Sequence, residues 1–301
     1  MSTMYHPAKK PYSPVKPVKH AFPRRYFDPS RILLVAVILL LIFFFRFDST
    51  GTSEVTVDVR VVSKPASALP GFRPLNQSRI AIVTFTTEQK SFTHLSLKNK
   101  AYYAKKHGYD FYIDYESSNK RGMMWHKFDM VQKVINASEH DWVWWMDFDT
   151  LITNTNTKLE DIISDSLADA TDPDSVDYIF TPDCFELNAG SFLTRASPRS
   201  HIFINRVIEY HTANATQKHQ LSEQDCMRDI LFHSSSMEDQ FVMVPQWKLN
   251  AFPEEIPCYD KDDKMFERGM FTLHFAGAWA HLQEDDPTGF LMKKYEREII
   301  W

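Results

Sequence analysis

Trp142-Val-Trp-Trp-Met, followed at once by Asp-Phe-Asp-Thr, limits what this chain can become more than any other segment. Five successive apolar residues, three of them tryptophan, leave no polar face for water. A strand of this kind belongs at the centre of a sheet covered on both sides. Other short apolar runs repeat the theme: Ile80–Thr86, Tyr109–Tyr115, Tyr178–Phe180, Ser191–Thr194, Phe241–Val244 and Phe271–Phe275. Between them, helical patterns cover 91–107, with Gly108 as a C-cap, then 125–137, 199–211 and 222–232. Strands alternating with helices predict an α/β fold, a mostly parallel sheet flanked by helices. Ligands of such sheets bind beyond the carboxyl ends of the strands.

Asp147 and Asp149 stand at that end. Their i, i+2 spacing on an extended segment sends both carboxylates to one side. Two carboxylates held together repel, and a divalent cation shared with a diphosphate relieves the repulsion. Mn²⁺ or Mg²⁺ suits such an oxygen site. Strand-borne Asp-x-Asp also occurs in haloacid-dehalogenase-type phosphatases, a rival metal-dependent phosphohydrolase reading. Those enzymes place Thr or Val four residues after the first aspartate, where this chain has Leu151. His274 ends another strand just before Gly277. Imidazole is a good Mn²⁺ ligand, and a glycine permits close backbone approach to a phosphate. Trp125, Trp247 and Trp279 read first as core packing, with sugar or base stacking as the alternative.

The N-terminus predicts a different environment. Residues 1–31 sum to +6 and the remaining 270 to −11. So acidic a body is a poor match for nucleic acid. The basic arm precedes an apolar run, Ile32 to Phe45, bounded by Arg31 and Arg46. Snorkelling arginines and interfacial Tyr26, Phe27 and Phe47 lengthen it to a span of about 20 residues. The expected layout is a disordered cytoplasmic tail at 1–30, a transmembrane signal anchor at 31–47, a stem at 48–78 and a luminal catalytic body at 79–301. Sequons at Asn76, Asn136 and Asn214 are compatible with a lumen. Cys184, Cys226 and Cys258 allow one disulfide and leave one thiol, without fixing the pair.

Several of these motifs occur together, in order, in a known family. They are Ile80–Thr86, the run from Asn99 through His107-Gly-Tyr-Asp-Phe, Trp125-His-Lys-Phe, Trp142–Thr150, Leu187-Asn-Ala-Gly-Ser-Phe-Leu-Thr-Arg, Glu223-Gln-Asp and His274-Phe-Ala-Gly. Over about residues 79–285 the chain resembles glycosyltransferase family 34, the fungal α-1,2-galactosyltransferases and α-1,6-mannosyltransferases with their plant xyloglucan xylosyltransferase relatives. The resemblance implies a GT-A, Rossmann-like fold, a Golgi type II anchor, Mn²⁺ dependence and retention of anomeric configuration. The implied donor is UDP-galactose or GDP-mannose, and the acceptor a glycan or glycoprotein. Homo- or hetero-oligomers with other Golgi glycosyltransferases are also implied, and a non-catalytic subunit of a mannosyltransferase complex is a further reading.

Carried over residue by residue, Asp147, Asp149 and His274 are metal ligands. Thr84, Thr86, Lys127, Asn188, Ala189, Gly190 and Gly277 are expected around the donor, Lys127 near its diphosphate. Glu223, Gln224 and Asp225 are expected beside the anomeric carbon, Gln224 and Asp225 stabilising positive charge on the sugar. Without the family, that triplet reads equally as a capping cluster after Ser222. Plant relatives carry a lysine five residues beyond the metal histidine, where this chain has Trp279. A diphosphate contact then falls to Lys127 or His281.

Overall fold

The computed structural model describes residues 73–301, apart from 217–219, 234–236 and 238. The expected tail, the anchor at 31–47 and most of the stem lie outside the described residues. Among the described residues no helix is long and apolar enough to cross a membrane.

Among the described residues, eight strands carry the architecture: β1 (Ile80–Phe85), β2 (Asp110–Asp114), β3 (Trp142–Met146), β4 (Thr150–Ile152), β5 (Tyr178–Thr181), β6 (Asn188–Arg195), β7 (Phe241–Met243) and β8 (Thr272–His274). Six form one sheet in the order β2-β1-β3-β6-β5-β7, and β4 pairs with β8 in a second. β1 runs parallel to β2 and β3, and β5 parallel to β7. β6 is antiparallel to both of its neighbours. The mostly parallel sheet is therefore reversed at one strand. Only residues 182–187 link β5 to β6, and a parallel crossover needs a dozen or more.

The alternation along β3 explains why the whole run is apolar. Val143 and Trp145 enter one core with Phe128 and Val131 of α2 (His126–Asn136), Phe203 and Val207 of α4 (Pro198–Asn214) and Met227 of α5 (Glu223–His233). Trp142, Trp144 and Met146 enter the opposite core with Tyr103 of α1 (Thr93–His107) and Ile162 and Ile163 of α3 (Leu159–Leu167). Gly108 ends α1 in the left-handed region, φ 76°, with its N–H on Ala104 O. A third cluster gathers Phe148, Leu151, Leu273 and Phe275 beneath α8 (Pro287–Tyr295), with α6 (Gln246–Leu249) and α7 (Ala278–His281) as short connecting helices.

Two open questions from the sequence are answered. Cys184 and Cys258 are bonded, and Cys226 is a buried free thiol. Trp125 is core, but Trp279 is 78% exposed, which overturns the packing expectation there. It sits on α7, which is a single turn with Ala278 as its buried residue. Trp247 is partly buried, with Lys264 Nζ 4.3 Å over its ring.

Trp144 fills the centre of the second core and donates its indole N–H to Ser191 Oγ at 3.0 Å. Trp144→Ala should cost about 3–5 kcal/mol of stability, read as a shift in the denaturant midpoint.

Candidate active site

The two aspartates meet by a different geometry from the extended one expected. They lie on a tight turn between β3 and β4, closed by Thr150 N–H on Asp147 O at 3.2 Å. The turn arises because β4 leaves the main sheet to pair with β8, setting Thr150 opposite His274. His274 Nε2 then lies 3.3 Å from Asp149 Oδ1. One ligand atom each from Asp147, Asp149 and His274 lies within 4.8 Å of the others.

The imidazole is oriented from behind. Its Nδ1 is 2.8 Å from Asn250 Oδ1, and the Asn250 amide donates to Thr181 Oγ1 at 3.3 Å. That chain makes Nδ1 a donor and leaves Nε2 facing the carboxylates, an arrangement typical of metal-binding histidines. Gly190 supplies the space. A Cβ there would overlap the His274 ring at Cε1. Two carboxylates and an oriented imidazole fit a borderline-hard divalent ion such as Mn²⁺.

Beneath the turn, α1 contributes three buried polar side chains on one face. Ser96 Oγ donates to Phe148 O at 2.6 Å. Asn99 exchanges two hydrogen bonds with the Ile152 backbone, at 2.9 and 2.7 Å. Lys100, 0% exposed, donates to Ser96 Oγ at 2.8 Å, Thr150 O at 2.6 Å and Phe148 O at 3.3 Å. Burial pushes its pKa down to about 7, against the pull of Asp149 and Asp147.

A second buried lysine stands on the other side. Lys127, 1% exposed, reaches Glu223 Oε1 at 2.8 Å, Ala189 O at 3.1 Å and Asp147 Oδ1 at 3.7 Å. Burial opposes its charge, but Asp147 and Glu223 outweigh that and hold the ammonium above its ordinary range. Asp147 also accepts Trp145 Nε1–H at 2.8 Å. Burial raises its pKa, whereas His274 overcomes burial at Asp149 and lowers that one.

Gln224 Oε1 accepts Ala189 N–H at 2.8 Å, tying α5 to β6. Asp225 is differently engaged. Its Oδ2 accepts Ser222 N–H and Oγ–H at 3.1 and 2.7 Å, Ser222 Oγ accepts Asp225 N–H, and Arg228 holds Oδ1 at 3.2 Å. This reciprocal Ser–Asp pairing is the capping reading of the triplet.

Toward β2, Thr86, Thr87, Glu88, Gln89, Thr93 and Tyr115 line a cavity of about 270 Å³. Thr86 stands on its wall. Thr84, expected around the donor, is instead fully buried within β1. Asn188 accepts Gly190 N–H and donates to buried Asp183, at 2.9 Å each. Gly277 takes φ 66° before α7 with open space beside it, which is the requirement of a turn.

Residues 76–170 and 164–284 match the galactosyl transferase GMA12/MNN10 family. The chain belongs to that family. A probable alpha-1,6-mannosyltransferase MNN10 of Saccharomyces cerevisiae is 26% identical over 188 residues, 53% of this chain and 47% of that one. A probable alpha-1,2-galactosyltransferase gmh2 of Schizosaccharomyces pombe is 24% identical over 225 residues, 64% of this chain and 62% of that one. The matches thus span about half to three-fifths of these relatives' length. Among solved structures, a glycosyltransferase involved in glycosylation of the major capsid of PBCV-1 superposes with a TM-score of 0.54 at 14% identity, over 72% of this chain and 99% of that one. That likeness shows a shared fold.

Within this GMA12/MNN10 family member, the structure brings together Asp147, Asp149, His274, Lys127, Gly190, Glu223 and, through Ala189, Gln224. Sequence reasoning missed Lys100, Asn250 and Asp183. Lys100 carried a readable signal, since Ser96 and Lys100 share one helix face at i, i+4. Asn250 carried none, because its partner His274 lies 24 residues away.

Gly190→Ala should displace the imidazole and weaken Mn²⁺ binding at least tenfold, as seen by titration calorimetry. Lys100 adds a pH signature. Unfolded, it keeps its proton to about pH 10.4; folded, it gives it up near 7. Between those values the unfolded chain binds more protons, so stability rises with pH. Metal-free protein should gain up to about 1.4 kcal/mol per pH unit from pH 7 to 9, a component that Lys100→Met removes from urea melts.

Proposed function

We propose that this chain is a metal-dependent, retaining hexosyltransferase that moves galactose or mannose from a nucleotide sugar to a glycan acceptor. The observation that carries the reading is the meeting of Asp147, Asp149 and His274 at the carboxyl end of β3, one strand away from the cavity at Thr86. Adjacent strands lie about 4.8 Å apart. A nucleoside in the cavity therefore has its diphosphate within reach of the metal ligands. Family membership and the names of the two fungal relatives support hexose transfer.

Bound at the three ligands, a divalent ion such as Mn²⁺ would neutralise charge on the departing diphosphate. The side chains do the rest. Asn250 orients the His274 ring. Lys127 sets one positive charge between Asp147 and Glu223 in a closed site. Glu223 and Gln224 are held against the start of β6, where a sugar between the metal ligands and α5 would place its anomeric carbon. We assign stabilisation of the positive sugar to this pair. Asp225, tied up by Ser222 and Arg228, sets the start of α5. In a same-face displacement the sugar–phosphate bond breaks as the acceptor oxygen bonds the anomeric carbon. The acceptor proton passes to the leaving phosphate.

The same reading places the body in the Golgi lumen behind a single-pass type II anchor. The basic arm, the apolar run at 32–45 and the sequons support it. The Cys184–Cys258 bond is in keeping with an oxidising compartment.

The test is a panel of nucleotide sugars with Mn²⁺ and a glycan acceptor. Chelation should abolish transfer. Gln224→Ala should lower kcat about a hundredfold with donor KM within threefold. Transfer that persists in excess chelator would refute the proposal, and a donor KM rising as steeply as kcat falls would refute the role of Gln224.

A further inference from the structure

The six-residue turn between β5 and β6 carries Phe185, a phenylalanine 64% exposed. A single exposed apolar ring is ordinary on a protein surface. This one differs in how firmly its backbone is held. Phe185 N–H donates to Asp183 Oδ1 at 2.6 Å. Glu186 N–H donates to Asp183 O at 3.1 Å. Cys184, one residue before the ring, is bonded to Cys258. Asp183 is itself buried and braced by Asn188. Glu186 takes φ 74°, a left-handed conformation uncommon for a residue with a long side chain. A loop with no task for its tip would not need an exposed ring fixed from both neighbouring residues.

The position of the turn gives the task. Strand order runs β2-β1-β3-β6-β5. The cavity at Thr86 and Tyr115 lies on the β1–β2 side, and the metal ligands follow β3. A donor laid from cavity to metal ends its sugar at the start of β6, beside Gln224. The attacking molecule must then approach from the remaining side, where the β5–β6 turn leads into Asn188. Arg228 of α5 feels the charges of both Asp183 and Glu186. The turn therefore borders the helix that presents Glu223 and Gln224.

We propose that Phe185 is a stacking platform for the acceptor saccharide, its ring covering the C–H face of a pyranose beside the reacting centre. Glu186, on the same turn, is the neighbouring group able to accept a sugar hydroxyl. An aromatic ring and a carboxylate on one short turn match the amphipathic surface of a sugar, apolar across the ring and polar around it. The inference rests on the hexosyltransferase reading and adds the place where the acceptor binds.

The experiment uses the full chain in detergent with Mn²⁺, the nucleotide-sugar panel, and mono- and disaccharides of mannose and galactose as acceptor probes. Phe185→Ala should raise acceptor KM at least tenfold, while donor KM and kcat stay within threefold and the melting temperature is unchanged. Phe185→Trp should keep acceptor KM near the parent value, a rescue that a packing role would not give to so large a ring. An unchanged acceptor KM in Phe185→Ala overturns the platform and leaves the enzymatic reading standing. So does a donor KM that rises in step with the acceptor's. A parent chain that transfers sugar from no donor overturns the enzymatic reading, and the platform with it.

Discussion

The ammonium of Lys100, sealed beneath the turn that carries Asp147 and Asp149, is the interaction on which the site depends. A lysine is almost never fully buried unless its charge is compensated. Here the compensation is two backbone carbonyls, Phe148 and Thr150, and the field of the two aspartates above. Those carbonyls flank Asp149. Holding them fixes the turn, and with it the separation of the two carboxylates. Asn99, one residue earlier on α1, completes the grip by pairing with Ile152 as a strand would. The helix therefore supports β4 from one side while β8 pairs with it from the other.

Two buried cations frame the aspartates in different ways. Lys127 meets Asp147 and Glu223 through side chains and is held charged. Lys100 meets main-chain oxygens and is pushed toward neutrality. The distinction follows from distance. A carboxylate at hydrogen-bond range offsets desolvation directly, whereas more remote carboxylates do so only in part. The Glu223–Lys127–Asp147 series also joins the first turn of α5 to the metal ligands, so binding at one end is felt at the other through charge.

Gly190 and the Cys184–Cys258 bond govern how β5, β6 and β8 come together. The glycine lets the His274 ring lie against the β6 backbone. The disulfide fastens the turn entering β6 to the segment preceding β8. The His274 ring is bonded in turn to Asn250, whose side chain orients it. The antiparallel course of β6 matters as well. It brings the Asn188-Ala-Gly segment back to the carboxyl end of β3, where a parallel strand would have carried it away.

By itself, the sequence determined the α/β class, the central burial of β3, the order of most elements, the three side chains Asp147, Asp149 and His274 that come together, and the family. Each is written locally or by motif: an apolar run fixes burial, a glycine after α1 fixes its end, and Asp-x-Asp with a strand histidine marks the candidate ligands. Short elements were not legible, because three residues of β4 carry no period. Only the tertiary structure decided that the aspartates sit on a turn rather than a strand, that Thr84 is sealed in the sheet, and that Asp225 caps a helix. It alone showed Asn250 behind His274, Lys100 beneath the turn and the pairing of Cys184 with Cys258. All of these rest on residues distant in the chain, and a side chain's partner across such distances is set by packing, which no local pattern records.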